Sequence, residues 1–150
     1  MGTALEIIVA AGEIARHSEF DKLARATVRR LESLVSIYSP TSELSEINRQ
    51  AGREQVHVSS DTAKMLQLSQ KFGRVSNGAF DVTVGPLVQL WGFSGGRTPA
   101  TLPGDDAIKQ KRTLVNFQDI IIRKDMASLS RTGMKVDLGG IAKGFSVDVV

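Results

Sequence analysis

An α+β fold, an antiparallel sheet with flanking helices, is predicted by three features of the sequence. Between Phe20 and Tyr38 apolar residues recur at helical spacing (Phe20, Leu23, Ala24, Val28, Leu31, Leu34, Val35 and Tyr38). Three short β-patterned runs, Ile120 to Lys124, Ala127 to Ser130 and Met134 to Leu138, are divided by "KDM" and "RTG" turns, as in an antiparallel meander. A Gly139-Gly140 pair then leads into a helix carrying Ile141, Phe145 and Val149 on one side.

The remaining elements follow in order. Residues 5–11 read as a buried strand ended by Gly12. Pro40 breaks the chain after the long helix, and a short helix starts near Ser42, with Glu43 and Glu46 suited to the positive end of its dipole. Val56 and Val58 alternate with Gln55 and His57, which predicts a short half-buried strand. Ser60 or Asp61 is expected to cap the next helix, whose Met65, Leu68 and Phe72 share a face and which "SNG" closes. In "GAFDVTVGPLVQLWGF", residues 78–93, Phe80, Val82 and Val84 alternate with Asp81 and Thr83 as in a strand. Gly85-Pro86 stops that run and a helix resumes, with Pro86 at its first position. The Gly- and Pro-rich "GFSGGRTPATLPGDD" predicts a long loop, a lid or a variable insertion, and residues 105–115 a helix. No stop signal follows the last helix at "VDVV", so the chain is expected to be the front part of a longer protein.

With 150 residues the chain holds one ordinary core and is short for two domains. A hydrophobic share of 41% and a charged share of 23% describe a globular protein rather than a disordered or fibrous one. The formal charge of +3 comes from 19 Lys and Arg against 16 Asp and Glu, spread along the chain. Arg25, Arg29 and Arg30 are read as a solvated helix face, and nothing interleaves basic with aromatic residues, so no nucleic acid partner is expected. The absence of cysteine removes disulfides, thiolate metal sites and Cys nucleophiles. Glu6 and Glu13 interrupt the N-terminal apolar run, so neither a signal peptide nor a membrane span is expected there.

Two glycine-rich stretches with one acid each carry the candidate chemistry. "KVDLGGIAKG", residues 135–144, reads as strand, glycines and helix start. Glycines allow close approach to a ligand, and helix N-terminal N–H groups can face an anion such as phosphate. The same pattern also serves as an ordinary α/β connection. Lys143 can point toward a phosphate, pair with a carboxylate, or remain solvated. Asp137 stands on the non-core face, where it suits a ring N–H, a hydroxyl or a metal-bound water better than a phosphate. Asp81 can cap a turn or touch a substrate. His17 and His57 lack partner spacing, and no HExxH, GxSxG or P-loop signature is present.

Four segments, "MGT", "YSPTSELSEINR", "SNGAFDVTVGPLVQLWGF" and "VDLGGIAKGFSVD", in this order and at this spacing, resemble the ApbE family of FAD:protein FMN transferases. The likeness runs over essentially the whole chain. It implies an ApbE-like flavin transferase fold, incomplete at its C-terminus, with residues 1–150 as the N-terminal part of a single domain. The implied activity is magnesium-dependent: FAD is bound as substrate, its pyrophosphate is split, and FMN is attached through a phosphoester to a Thr or Ser hydroxyl of an acceptor, releasing AMP. Implied acceptors are flavoprotein subunits of membrane redox complexes and related reductases. Met1, Tyr38, Ala79, Phe80, Asp81, Asp137 and Lys143 would contact FAD, and Gly140 would offer its backbone carbonyl to Mg²⁺. In the family a further C-terminal half, with an Asp- and Thr-containing motif, supplies most magnesium ligands, so no catalytic residue is assigned within this chain. Family members often act outside the cytoplasmic membrane after a leader, whereas this sequence suggests a cytoplasmic protein or a leaderless fragment. Two rival readings are a non-catalytic FAD-binding or flavin-trafficking protein and a magnesium-dependent FAD pyrophosphatase giving FMN and AMP.

Overall fold

The computed structural model describes residues 5–8, 14–94 and 101–150. Helix α1 (Ile14–Val35) buries Ala24, Leu31 and Val35, while Phe20 and Leu23 stay exposed. It ends before Tyr38 because residues 36–42 fold into a turn. There the Ser36 carbonyl accepts hydrogen bonds from the Ser39 N–H at 3.3 Å and the Ser42 hydroxyl at 2.7 Å. Ser42 is buried and caps α2 (Glu43–Arg49), its Oγ accepting the Ser45 N–H at 3.0 Å, so the predicted helix start near Ser42 holds.

Helix α3 (Ser60–Val75) is capped by Ser59, one residue before the expected cap. Ser59 is drawn into that position by Glu43 of α2, whose carboxylate accepts both its N–H at 3.0 Å and its hydroxyl at 2.9 Å. Asp61 sits in the first turn of α3 and receives Arg30 of α1 at 2.6 Å. Arg25 pairs with Asp21 one turn earlier, and that hydrogen bond holds the Asp21 carboxyl below its ordinary range. Two of the three arginines singled out on α1 are therefore spent on exposed helix-surface pairs.

The sheet is antiparallel, as expected, but its strands are partly different ones. Strands β1 (Val56–His57), β2 (Ile120–Arg123) and β3 (Met126–Leu129) lie in the order β1-β3-β2, with Val56 opposite Ala127 and Ile122 opposite Ala127 on the other side. The "KDM" turn closes the β2–β3 hairpin, with Lys124 at a φ of 54°. The expected third meander strand, Met134 to Leu138, does not join. Its alternation is right, since Met134, Val136 and Leu138 are buried and Lys135 and Asp137 half-buried, but β1 occupies the free edge of β3.

Two other predicted strands are corrected. The strand expected at 80–84 shrinks to a single parallel bridge between Val84 and Lys135, because the Asp81 side chain bonds the backbone two residues on and bends residues 82–83 into a turn. Residues 5–8 show no strand, and 9–11 lie outside the described residues. Helices α4 (Gly85–Leu90), with Pro86 in its first turn, and α5 (Asp105–Arg112) match their expected places. Of the long loop between them, residues 95–100 lie outside the described residues. Helix α6 (Gly139–Val149) buries Ile141, Ala142, Phe145 and Ser146 but leaves Val149 exposed.

The core gathers Leu31 of α1, Leu44 and Ile47 of α2, Met65 and Leu66 of α3, Leu129 of β3, and Met134 and Leu138, all essentially inaccessible to water. Among the described residues no helix is long and apolar enough to cross a membrane. Replacing Ser42 removes both a helix cap and a buried partner of Ser36. Ser42→Ala is expected to lower unfolding free energy in urea by about 1–2 kcal/mol, and an unchanged midpoint would show that water takes over both bonds.

Candidate functional site

Five segments converge on a pocket of about 420 Å³: the turn after α1, the outer face of α2, one face of α4 along its length, Ser94 after α4, and residues 135–137. Ile37 and Tyr38 come from the turn, Ser45, Asn48 and Arg49 from α2, Gly85, Val88 and Gln89 from α4, and Lys135, Val136 and Asp137 from the extended segment. Tyr38 is 71% exposed, so its ring lies on the pocket's open side with little packing to hold it.

The wall formed by residues 134–138 is fixed without a strand ladder. On one side the Lys135 carbonyl accepts the Gly85 N–H at 3.2 Å, and the Asp137 N–H donates to the Val82 carbonyl at 2.8 Å. Gly85 is required by this approach, since a Cβ there would sit 2.7 Å from the Lys135 carbonyl oxygen. On the other side the Asn48 amide takes both polar groups of Val136: its Nδ2 donates to the carbonyl at 2.9 Å and its Oδ1 accepts the N–H at 2.7 Å.

The pocket carries two cations and one acid. Lys135 Nζ donates to the neutral Gln89 Oε1 at 2.7 Å, so its charge meets a dipole rather than a carboxylate there. Arg49 pairs with Glu46 one turn back on α2. Asp137 Oδ1 accepts the Gly139 N–H at 2.8 Å, placing a carboxylate over the start of α6, where the helix dipole favours negative charge. This alters the expected phosphate cradle. The Gly139 N–H is taken by Asp137, the Ile141 N–H donates to Leu138, and Leu138 at the N-cap position has no side chain that could cap.

Of the residues named from sequence, Tyr38 and Asp137 meet in the pocket although they lie far apart in the chain. Met1 lies outside the described residues. Ala79, Phe80 and Asp81 do not line the pocket. The Phe80 ring packs edge-on against Phe72 with centroids 6.3 Å apart, and lies so close to Gly140 that a Cβ there would be 3.0 Å from it. Asp81 behaves as a turn builder: its Oδ1 accepts the Thr83 N–H at 2.7 Å and hydroxyl at 2.6 Å, and its Oδ2 accepts the Phe117 N–H at 2.9 Å. Lys143 is exposed on α6 outside the pocket.

Gly140, the expected magnesium contact, offers only a backbone carbonyl. Among the described residues no group of three or more His, Cys, Asp and Glu side chains could hold a metal, and the two nearby acids are already engaged by main-chain N–H groups. These residues do not amount to a magnesium site by themselves. Sequence reasoning also passed over Asn48, Arg49, Gln89 and Lys135. Asn48 follows the core-facing Ile47 on α2, an ordinary helical context that carries no signal of its role.

The ApbE family model matches residues 1–150. This chain belongs to the ApbE family. A Vibrio cholerae relative named FAD:protein FMN transferase is 34% identical over 133 residues, covering 89% of this chain and 39% of the relative. A Haemophilus influenzae protein of the same name is 35% identical over 130 residues, covering 83% of this chain and 38% of the relative. The solved flavin transferase ApbE from Vibrio cholerae superposes with a TM-score of 0.81 at 31% identity, over 88% of this chain and 43% of that one. This ApbE chain thus spans about two-fifths of the length of the curated relatives it matches.

The internal bonds of Asp81 make its removal a matter of stability. Asp81→Ala strands the N–H groups of Thr83 and Phe117 and is expected to cost about 2–4 kcal/mol in urea unfolding. An unchanged stability would mean that the carboxylate is free to serve a ligand.

Proposed function

We propose that this chain forms the flavin-nucleotide-binding part of an FAD:protein FMN transferase. The full-length protein would move FMN from FAD to a Thr or Ser hydroxyl of an acceptor flavoprotein, forming a phosphoester and releasing AMP. The observation that carries this reading is the meeting of Tyr38 and Asp137, from two separate motifs, in one pocket with the cations Arg49 and Lys135. An aromatic face suits a flavin or adenine ring, cations suit a pyrophosphate, and a carboxylate oxygen suits ring N–H or ribose hydroxyl donors.

In this reading the nucleotide reaches from the pocket past Asp137 toward Phe80, Asp81 and Lys143 at the start of α6. The chain's own groups bind and orient: Lys135 leaves Gln89 for a phosphate oxygen, and Asp137 accepts from the ligand with the oxygen that Gly139 does not use. Magnesium dependence belongs to the same proposal. The ion would neutralise charge on the pyrophosphate, and this chain would contribute at most the Gly140 carbonyl to it.

Fluorescence titration of FAD into the purified chain, with and without Mg²⁺, should show saturable binding. Lys135→Met should weaken FAD about tenfold, roughly the loss of one charge-assisted phosphate contact, and leave riboflavin binding unchanged. Equal losses for both ligands would remove the phosphate role from Lys135. In the full-length protein, AMP release that requires a Thr- or Ser-bearing acceptor supports transfer. AMP release without an acceptor indicates a pyrophosphatase, and binding with no turnover at any Mg²⁺ level indicates a flavin carrier.

A further inference from the structure

Asn48 and Val136 are 88 residues apart and exchange two hydrogen bonds, of 2.9 and 2.7 Å, in the manner of neighbouring strands. Val136 is buried in the core, and the residues on either side of it, Lys135 and Asp137, line the pocket together with Asn48 itself. We infer that Asn48 is a positioning residue: by holding both polar groups of Val136 it sets the rotation of residues 134–138 about their own axis, and so aims Lys135 and Asp137 into the pocket. In an extended chain alternate side chains point to opposite faces, so a small rotation at Val136 turns both neighbours away together. Among the described residues the opposite edge is held by the Gly85 and Asp137 N–H bonds, which fix the segment's distance from the turn at residues 82–85, while on the α2 side Asn48 holds Val136 and the Met134 N–H turns back to the Arg131 carbonyl.

The inference rests on the proposed flavin-nucleotide site for its ligand readout, and the fold supplies a control. Gln70 of α3 makes a similar helix-to-backbone tie, its Nε2 donating to the Ile120 carbonyl at 2.7 Å, but it does not line the pocket. Asn48→Ala and Gln70→Ala should therefore both lower stability, whereas only Asn48→Ala should weaken FAD, by at least tenfold.

The experiment is FAD titration of the full chain and both variants, with hydrogen exchange followed residue by residue on the same samples. Exchange should accelerate at residues 134–138 in Asn48→Ala while the β2–β3 hairpin keeps its protection. A folded Asn48→Ala with native FAD affinity, or equal weakening by Gln70→Ala, overturns the inference. If the native chain itself binds no FAD, the proposed function fails, and hydrogen exchange alone decides: loss confined to 134–138 supports positioning by Asn48, and uniform loss overturns it.

Discussion

The structure depends on how residues 134–138 satisfy their backbone away from any sheet. Buried N–H and C=O groups left unpaired cost about 1–3 kcal/mol each, so a core-facing extended segment normally joins a ladder. Here β1 holds the edge of β3, and the segment is served instead by an α2 side chain on one side and by the turn before α4 on the other. That arrangement brings α2, α4 and the start of α6 around one concavity.

The sequence was most legible where local chemistry and burial agree. The helix start near Ser42 and Pro86 in the first turn of α4 act within a few residues and appear where the pattern places them, while the amphipathic spacing of α1 marks the helix but not its end, which falls at Val35 rather than Tyr38. Alternation at 134–138 correctly reported which side chains are buried, but alternation describes an extended backbone and carries no information about its partner. Residues 80–84 alternate as well. There an aspartate–backbone bond across two residues, closed by the Thr83 hydroxyl, defeats the strand, and its outcome turns on Asn116 and Phe117, which sequence spacing cannot bring near.

The candidate site shows the same division. Asp137 is reachable from the glycine-rich stretch in which it stands, whereas Tyr38 is reachable only through the ApbE resemblance, since its own spacing reads as a helix-face residue. Asn48, Gln89 and Lys135 stand in ordinary helical or extended contexts, and only the fold reveals that Lys135 lies against Gln89 and that Asn48 faces Val136. A polar side chain that works through a distant backbone leaves almost no local trace.

Asp137 decides how a charged ligand could lie in this concavity. Its Oδ1 closes the first N–H of α6, so the helix start already holds its own negative charge and is a poor seat for phosphate. A second anion drawn there would face carboxylate repulsion, whereas Lys135 is held by a neutral amide and can turn to a ligand without first abandoning an ion pair at that amide. A pyrophosphate bound in this pocket therefore belongs on the Lys135 and Arg49 side, leaving the vicinity of Asp137 to the hydroxyl or ring N–H groups of the same molecule. Under the proposed function, that polarity would give a dinucleotide its direction, because one glycine N–H at the start of α6 is already occupied.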